Sequence, residues 1–196
     1  MASQPRLVLL GKQGAGKGTQ SVRLAAHYGI SHVATGDMFR AQAAQGTAFG
    51  LEAKRYMDAG ELVPDEIVIG VIEECTAPGG PLGTGFVLDG FPRNLAQADA
   101  LDAMLGSIGR ALDAILFFDL PDDVAVERLL GRAAAENRPD DTPEVIARRL
   151  EIYHAETEPI VEHYRATGRL VPLHAGRTVD EVWREIEAAL GSLEAV

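Results

Sequence analysis

The clearest chemistry in the sequence lies in LVLLGKQGAGKGTQ, from Leu7 to Gln20. Gly11, Gly16 and Lys17 fall in the spacing G-x-x-x-x-G-K, directly after an apolar run and ahead of a helical segment. Without Cβ atoms the glycines can take positive φ, so several backbone N–H groups can converge on one anion. The positive end of the following helix dipole adds to that field, and Lys17 supplies a mobile full charge. Gly14, Ala15, Gly16, Lys17, Gly18 and Thr19 therefore read as a phosphate cradle. Gly18 occupies the usual Ser/Thr position, which moves the hydroxyl one residue on, to Thr19. A glycine turn that only packs closely is the other reading of the same residues. The loop does not specify a reaction, because switches, motors and small-molecule kinases share it.

The second resource is arginine. The chain carries 18 basic residues, of which only Lys12, Lys17 and Lys54 are lysines. A guanidinium donates two parallel hydrogen bonds to phosphate oxygens, which suits it to anion clamping. Arg128 and Arg132 are four apart and share a face if helical. Taken singly, each arginine is better explained by a solvated, salt-bridged surface. The formal net charge of -11 argues against broad nucleic-acid binding, which needs a cationic face.

These groups need a scaffold. A chain of 196 residues, 46% hydrophobic and 24% charged, suits one globular domain. No apolar run approaches a membrane span, and Met1 to Arg6 is too short and polar for a secretory signal, so a cytoplasmic protein is expected. Cys75 is the single cysteine, which excludes an internal disulfide and a cysteine-clustered zinc site. Short unalternated runs at Leu7–Leu10, Phe86–Leu88, Ala114–Phe118 and Leu170–Leu173, with a weaker one at His32–Ala34, predict strands covered on both faces. Between them, helices are predicted over Lys17–Tyr28, Asp65–Cys75, Leu95–Leu105, Asp122–Leu130, Pro143–Ala166 and Val179–Leu190. Thr142 before Pro143 and Glu144, and Thr178 before Val179, read as helix caps. Strands alternating with helices predict an α/β fold with a parallel sheet flanked by helices on both sides.

Five further stretches accompany the loop in order: VATGDMFR (Val33–Arg40), DAGELVPDE (Asp58–Glu66), FVLDGFPRNLAQAD (Phe86–Asp99), ERLLGR (Glu127–Arg132) and RPDDTPEVIARRLEIYH (Arg138–His154). Together they resemble the nucleoside monophosphate kinases, most closely the short-lid adenylate kinases, over nearly the whole chain. The resemblance implies a P-loop three-layer fold with a five-stranded parallel sheet, transfer of phosphoryl from MgATP to AMP giving two ADP, and a monomer. It implies a core of residues 1–34, 65–130 and 142–196, a monophosphate-binding insertion 35–64 and a short lid loop 131–141. Asp89 would hold the water shell of Mg²⁺, although alone it reads equally as a turn or capping acid. Arg93 and Arg40 would contact the monophosphate from two sides, with Thr35, Glu61, Leu62, Val63, Gly90 and Gln97 around the acceptor. Leu62 and Val63 read equally as core residues. Arg128 and Arg132 would face the ATP phosphates, and Arg138 and Arg149 the transferring phosphoryl and the monophosphate. Gly176 would lie near the ATP base, or simply make a turn, and Arg148 stays on the surface.

Gln97 and Thr35 match the adenine-type pattern, where pyrimidine monophosphate kinases carry Asn and Ala, so AMP is favoured over UMP or CMP. A P-loop nucleotide switch is the reading from another class, but a switch needs no second phosphate site. The segment GRAAAENRPDD (Gly131–Asp141) is too short for the β lid and zinc site of longer relatives, and a closing loop is expected there. Asp140 and Asp141 would form closing salt bridges or act as helix N-terminal acids. Gln13 replaces the family's usual Pro, which is expected to leave the empty loop more mobile.

Overall fold

The computed structural model describes residues 4–77, 79–135 and 141–193. The apolar runs form β1 (Arg6–Gly11), β2 (Ser31–Ala34), β3 (Phe86–Asp89), β4 (Ala114–Asp119) and β5 (Leu170–His174). All pair in parallel in the order β2-β3-β1-β4-β5, with Leu7 level with Val87 on one side and Ala114 on the other. Helices α1 (Lys17–Tyr28), α2 (Thr35–Ala44), α3 (Ala48–Asp58), α4 (Asp65–Thr76) and α5 (Leu95–Ser107) precede β4. Helices α6 (Asp122–Ala135), α7 (Pro143–Ile152), α8 (Pro159–Ala166) and α9 (Val179–Leu193) follow it.

Because strand side chains alternate, β1 feeds two cores. Val8 and Leu10 join Leu88, Ile72, Leu101 and Tyr164 on one face; Leu7 and Leu9 join Val87, Leu24, Trp183 and Ile186 on the other. This is the expected α/β three-layer arrangement, with the weak His32–Ala34 run included as a strand. Cys75 is buried among apolar neighbours, and burial pushes its thiol pKa up.

Besides small extensions at element ends, such as α9 to Leu193, three departures from expectation matter for the site. Helix α6 continues past Leu130 to Ala135, so the first residues of the expected loop are helical; Ala133, Ala134 and Ala135 are the strongest helix formers and outweigh Gly131. The single helix expected over Pro143–Ala166 is divided by a π-helical turn, Tyr153–Thr157, with Glu158 N–H bonded to Tyr153 O at 2.8 Å. Pro159 cannot supply the next helical N–H, and α8 restarts there. Residues 35–64 carry α2 and α3, where no helix was predicted; Thr47 caps α3 by accepting from Gly50 N–H at 3.0 Å.

Gly50 is where α3 meets α2: a Cβ there would lie 2.2 Å from the Gln42 carbonyl carbon. Gly70 of α4 faces open space. Gly50→Ala is expected to destabilise by about 1–3 kcal/mol through overpacking. Gly70→Ala should stabilise by up to about 1 kcal/mol through helix propensity, both read from urea midpoints.

Candidate active site

The loop leaves β1 at Gly11 and enters α1 at Lys17, with Gly14 and Gly16 at φ 82° and 86°. Gly11 is required by contact as well, since a Cβ there would sit 2.6 Å from Phe118 O on β4. Lys17 curls back so that Nζ donates to Gly11 O at 2.6 Å and Lys12 O at 2.8 Å. Lys17 as a whole is half-buried. Burial pulls its pKa down to about 8; Asp89 opposes that shift, while Arg93 and Arg132 add to it.

One cleft of about 970 Å³ runs from this loop to α2 and α3. Gly14 through Thr19 line one part of it, and Thr35, Arg40, Glu61, Leu62, Val63, Gly90, Arg93 and Gln97 another. Asp89, Arg128, Arg132 and Arg149 line it too. Gly176 does not line the cleft; it lies in the turn after β5 between the lining residues Ala175 and Arg177, and its carbonyl accepts from Arg128 at 3.4 Å. Arg138 and Asp140 lie outside the described residues.

Arg93 is anchored on every side. Its Nε donates to Gly90 O at 2.8 Å, its N–H to Gln97 Oε1 at 2.8 Å, and its carbonyl accepts from Thr157 Oγ1 at 2.7 Å. Burial lowers its guanidinium pKa, Asp89 raises it, and Arg149 and Arg40 lower it further. Gly90, at φ 85°, leaves room for Thr35 Oγ1, which donates to Gly90 O at 3.0 Å; a Cβ at Gly90 would approach that hydroxyl to 2.8 Å. Arg40 pairs with Asp37.

Arg128 and Arg132 project from α6 as their spacing predicts. Arg128 donates to Ala175 O at 2.9 Å, and Arg132 binds Asp141 Oδ2 at 2.7 Å through Nη2. Asp141, with a side chain 0% exposed, also binds Arg149 Nη1 at 2.5 Å, so one buried carboxylate holds two arginines of the cleft. Arg148 is a surface residue near Glu61 and Glu151, as expected.

Several supporting residues carry no local sequence signal. Lys12 pairs with Asp122 at the start of α6 and donates to Leu120 O at 2.9 Å. His154 in the π-helical turn joins Asp122 at 2.9 Å and Glu158 at 2.8 Å, and the two carboxylates raise its pKa. Gln13 lines the cleft with Oε1 buried and without a hydrogen-bond partner among the described residues.

Among the described residues no group of three or more His, Cys, Asp or Glu could hold a metal ion. Asp89 has no hydrogen-bond or ion-pair partner among those residues, and its Oδ2 lies 3.7 Å from where a Cβ on Gly18 would be. One unpaired carboxylate beside the loop, in a cleft that Thr19 also lines, is a sparse hard-oxygen set. It fits Mg²⁺ arriving with phosphates and keeping its waters.

A glycine loop at the carboxyl end of β1, in a five-stranded parallel sheet of order β2-β3-β1-β4-β5, defines a P-loop nucleotide-binding fold. A family model described as "Adenylate kinase" matches residues 9–169. The adenylate kinase of Streptomyces griseus is 44% identical over 218 aligned positions, covering 96% of this chain and 99% of that protein. That of Stenotrophomonas maltophilia is 46% identical over 186 positions, covering 94% and 98%; that of Xanthomonas euvesicatoria is 46% identical over 186, covering 95% and 99%. The chain belongs to the adenylate kinase family.

Two outcomes are expected. With Lys17 as a phosphate ligand in its charged form, affinity for metal-free ATP should hold below pH 8 and weaken as pH rises through about 8, when the free ammonium loses its proton. Calorimetric titrations between pH 7 and 9.5 measure this. Gln13→Pro removes an unpartnered buried carbonyl and stiffens the unfolded chain; it should stabilise by up to about 1 kcal/mol with turnover little changed, by denaturant titration and steady-state assay.

Proposed function

We propose that this chain catalyses reversible transfer of the terminal phosphoryl group of MgATP to AMP, giving two ADP. The observation that carries the proposal is a single cleft lined by a phosphate loop and by a separate set of arginines, among them Arg40, Arg93 and Arg149. A protein that only hydrolyses or senses a triphosphate has no use for a second phosphate site. Lys17 and the amides of Gly14 to Thr19 take the ATP phosphates with Arg128 and Arg132, while Arg40, Arg93, Arg138 and Arg149 take the AMP phosphate and the group in transit.

Phosphoryl transfer asks little covalent help of a protein. The two polyanions must meet in line, and charge moving onto the leaving oxygen must be neutralised. The accepting phosphate is already an oxyanion, so no general base is required. Asp89 would hold Mg²⁺ through its water shell, and the ion would supply further neutralisation of phosphate charge. Residues 35–64 form the monophosphate unit and 131–141 the lid, whose closure over ATP excludes water. Thr35, Glu61, Leu62, Val63, Gly90 and Gln97 surround the acceptor, with Gly176 behind Arg128 on the ATP side. No helix among the described residues is long and apolar enough to cross a membrane. A cytoplasmic monomer acting on free nucleotides, with neither nucleic acid nor membrane as partner, fits the acidic chain.

An acceptor panel of AMP, CMP, UMP and GMP with MgATP tests the activity. ADP formation should depend on the monophosphate and be strongest with AMP, whereas phosphate release independent of any acceptor would point to a switch. Arg93→Ala should lower kcat roughly a hundredfold, about 3 kcal/mol, the loss of one preorganised donor.

A further inference from the structure

The amide of Gln97 is 1% exposed and lines the cleft, yet it is held by a residue that does not. Its Nε2 donates to Asp65 Oδ1 at 2.7 Å, and its Oε1 accepts from Arg93 N–H at 2.8 Å. The same carboxylate accepts from Asn94 Nδ2 at 2.9 Å (Oδ1) and 3.1 Å (Oδ2), and Asn94 Oδ1 in turn accepts from the Gln97 backbone N–H at 2.9 Å. An ionised carboxylate only accepts and a backbone N–H only donates, so this network admits one orientation of the amide. A flipped amide would set oxygen against the carboxylate and nitrogen against the Arg93 N–H, leaving both buried groups opposed rather than paired.

A primary amide carries two N–H groups and two acceptor lone pairs. Asp65 takes one N–H and Arg93 one lone pair, which leaves one donor and one acceptor of fixed handedness for a ligand. Adenine offers the complement, an exocyclic N6–H donor beside a ring-nitrogen acceptor. A 6-oxopurine offers the reverse, an acceptor at O6 beside a protonated N1, and it fits only the flipped amide.

We propose that Asp65 is a positioning residue for acceptor-base choice: it locks the Gln97 amide so that a 6-aminopurine monophosphate is selected and a 6-oxopurine monophosphate rejected. This rests on the reading above that Gln97 faces the acceptor base. Asp65 also opens α4, where an acid is favourable for the helix dipole, and that role alone would leave base preference untouched.

The test is kcat/KM for AMP and for IMP, with MgATP, in the natural chain, Asp65→Ala and Asp65→Asn. Asp65→Ala should reduce the AMP-to-IMP ratio by roughly tenfold or more, mainly through the acceptor KM, because half of the lock is gone. Asp65→Asn keeps an acceptor oxygen and should hold the ratio within about threefold of the natural value. Equal losses for AMP and IMP in Asp65→Ala would reduce Asp65 to a structural role and overturn the proposal. If Asp65→Ala does not fold, Asp65→Ser removes the same carboxylate and is judged by the same ratio. Failure of the natural chain to phosphorylate AMP would overturn the activity itself, and that shows before any variant is made.

Discussion

Burial of positive charge inside one cleft is the constraint to which the rest of the structure answers. Lys17 and Arg93 both carry pKa values pulled down by burial and by neighbouring guanidinium groups. The protein holds Lys17 with the carbonyls of Gly11 and Lys12, Arg93 with the carbonyl of Gly90, and Arg132 and Arg149 with the carboxylate of Asp141 between them. Phosphate oxygens entering the cleft offer those cations stronger partners. A chain of net charge -11 can therefore bind polyanions, because its positive charge is concentrated where a nucleotide would sit.

The sheet makes this concentration possible. In a parallel sheet every strand ends at the same edge, so successive connections converge there. β1 delivers the glycine loop, β2 delivers Thr35, and β3 delivers Asp89, Gly90 and Arg93. β4 is followed by Leu120 and Asp122, which fix Lys12, and β5 by Ala175, which accepts from Arg128. The two-sided burial that makes the strands read as plain apolar runs is what brings distant motifs together.

Legibility in the sequence followed the range of the interactions. The loop from Gly11 to Lys17, the five strands and most helix starts are set by neighbours a few residues apart, and the order of the motifs carried the family. The four-residue spacing of Arg128 and Arg132 put both on the cleft side of α6. Residues 35–64 held two helices, α2 weakly amphipathic and α3 as amphipathic as α1, that were not expected, and the alanines after Gly131 carried α6 beyond its expected end. The partners of Gln97 and Arg93 were out of reach for another reason: Asp65 and Thr157 meet them across 32 and 64 residues, and an isolated Asp or Thr has no pattern to read.

The π-helical turn at Tyr153–Thr157 touches both halves of the cleft. Thr157 grips the backbone of Arg93, and His154 reaches the phosphate loop through Asp122 and Lys12. Two walls of the cleft are thus bolted to a common bracket. A substitution in this turn therefore bears on both walls of the cleft at once, although the turn itself belongs to neither.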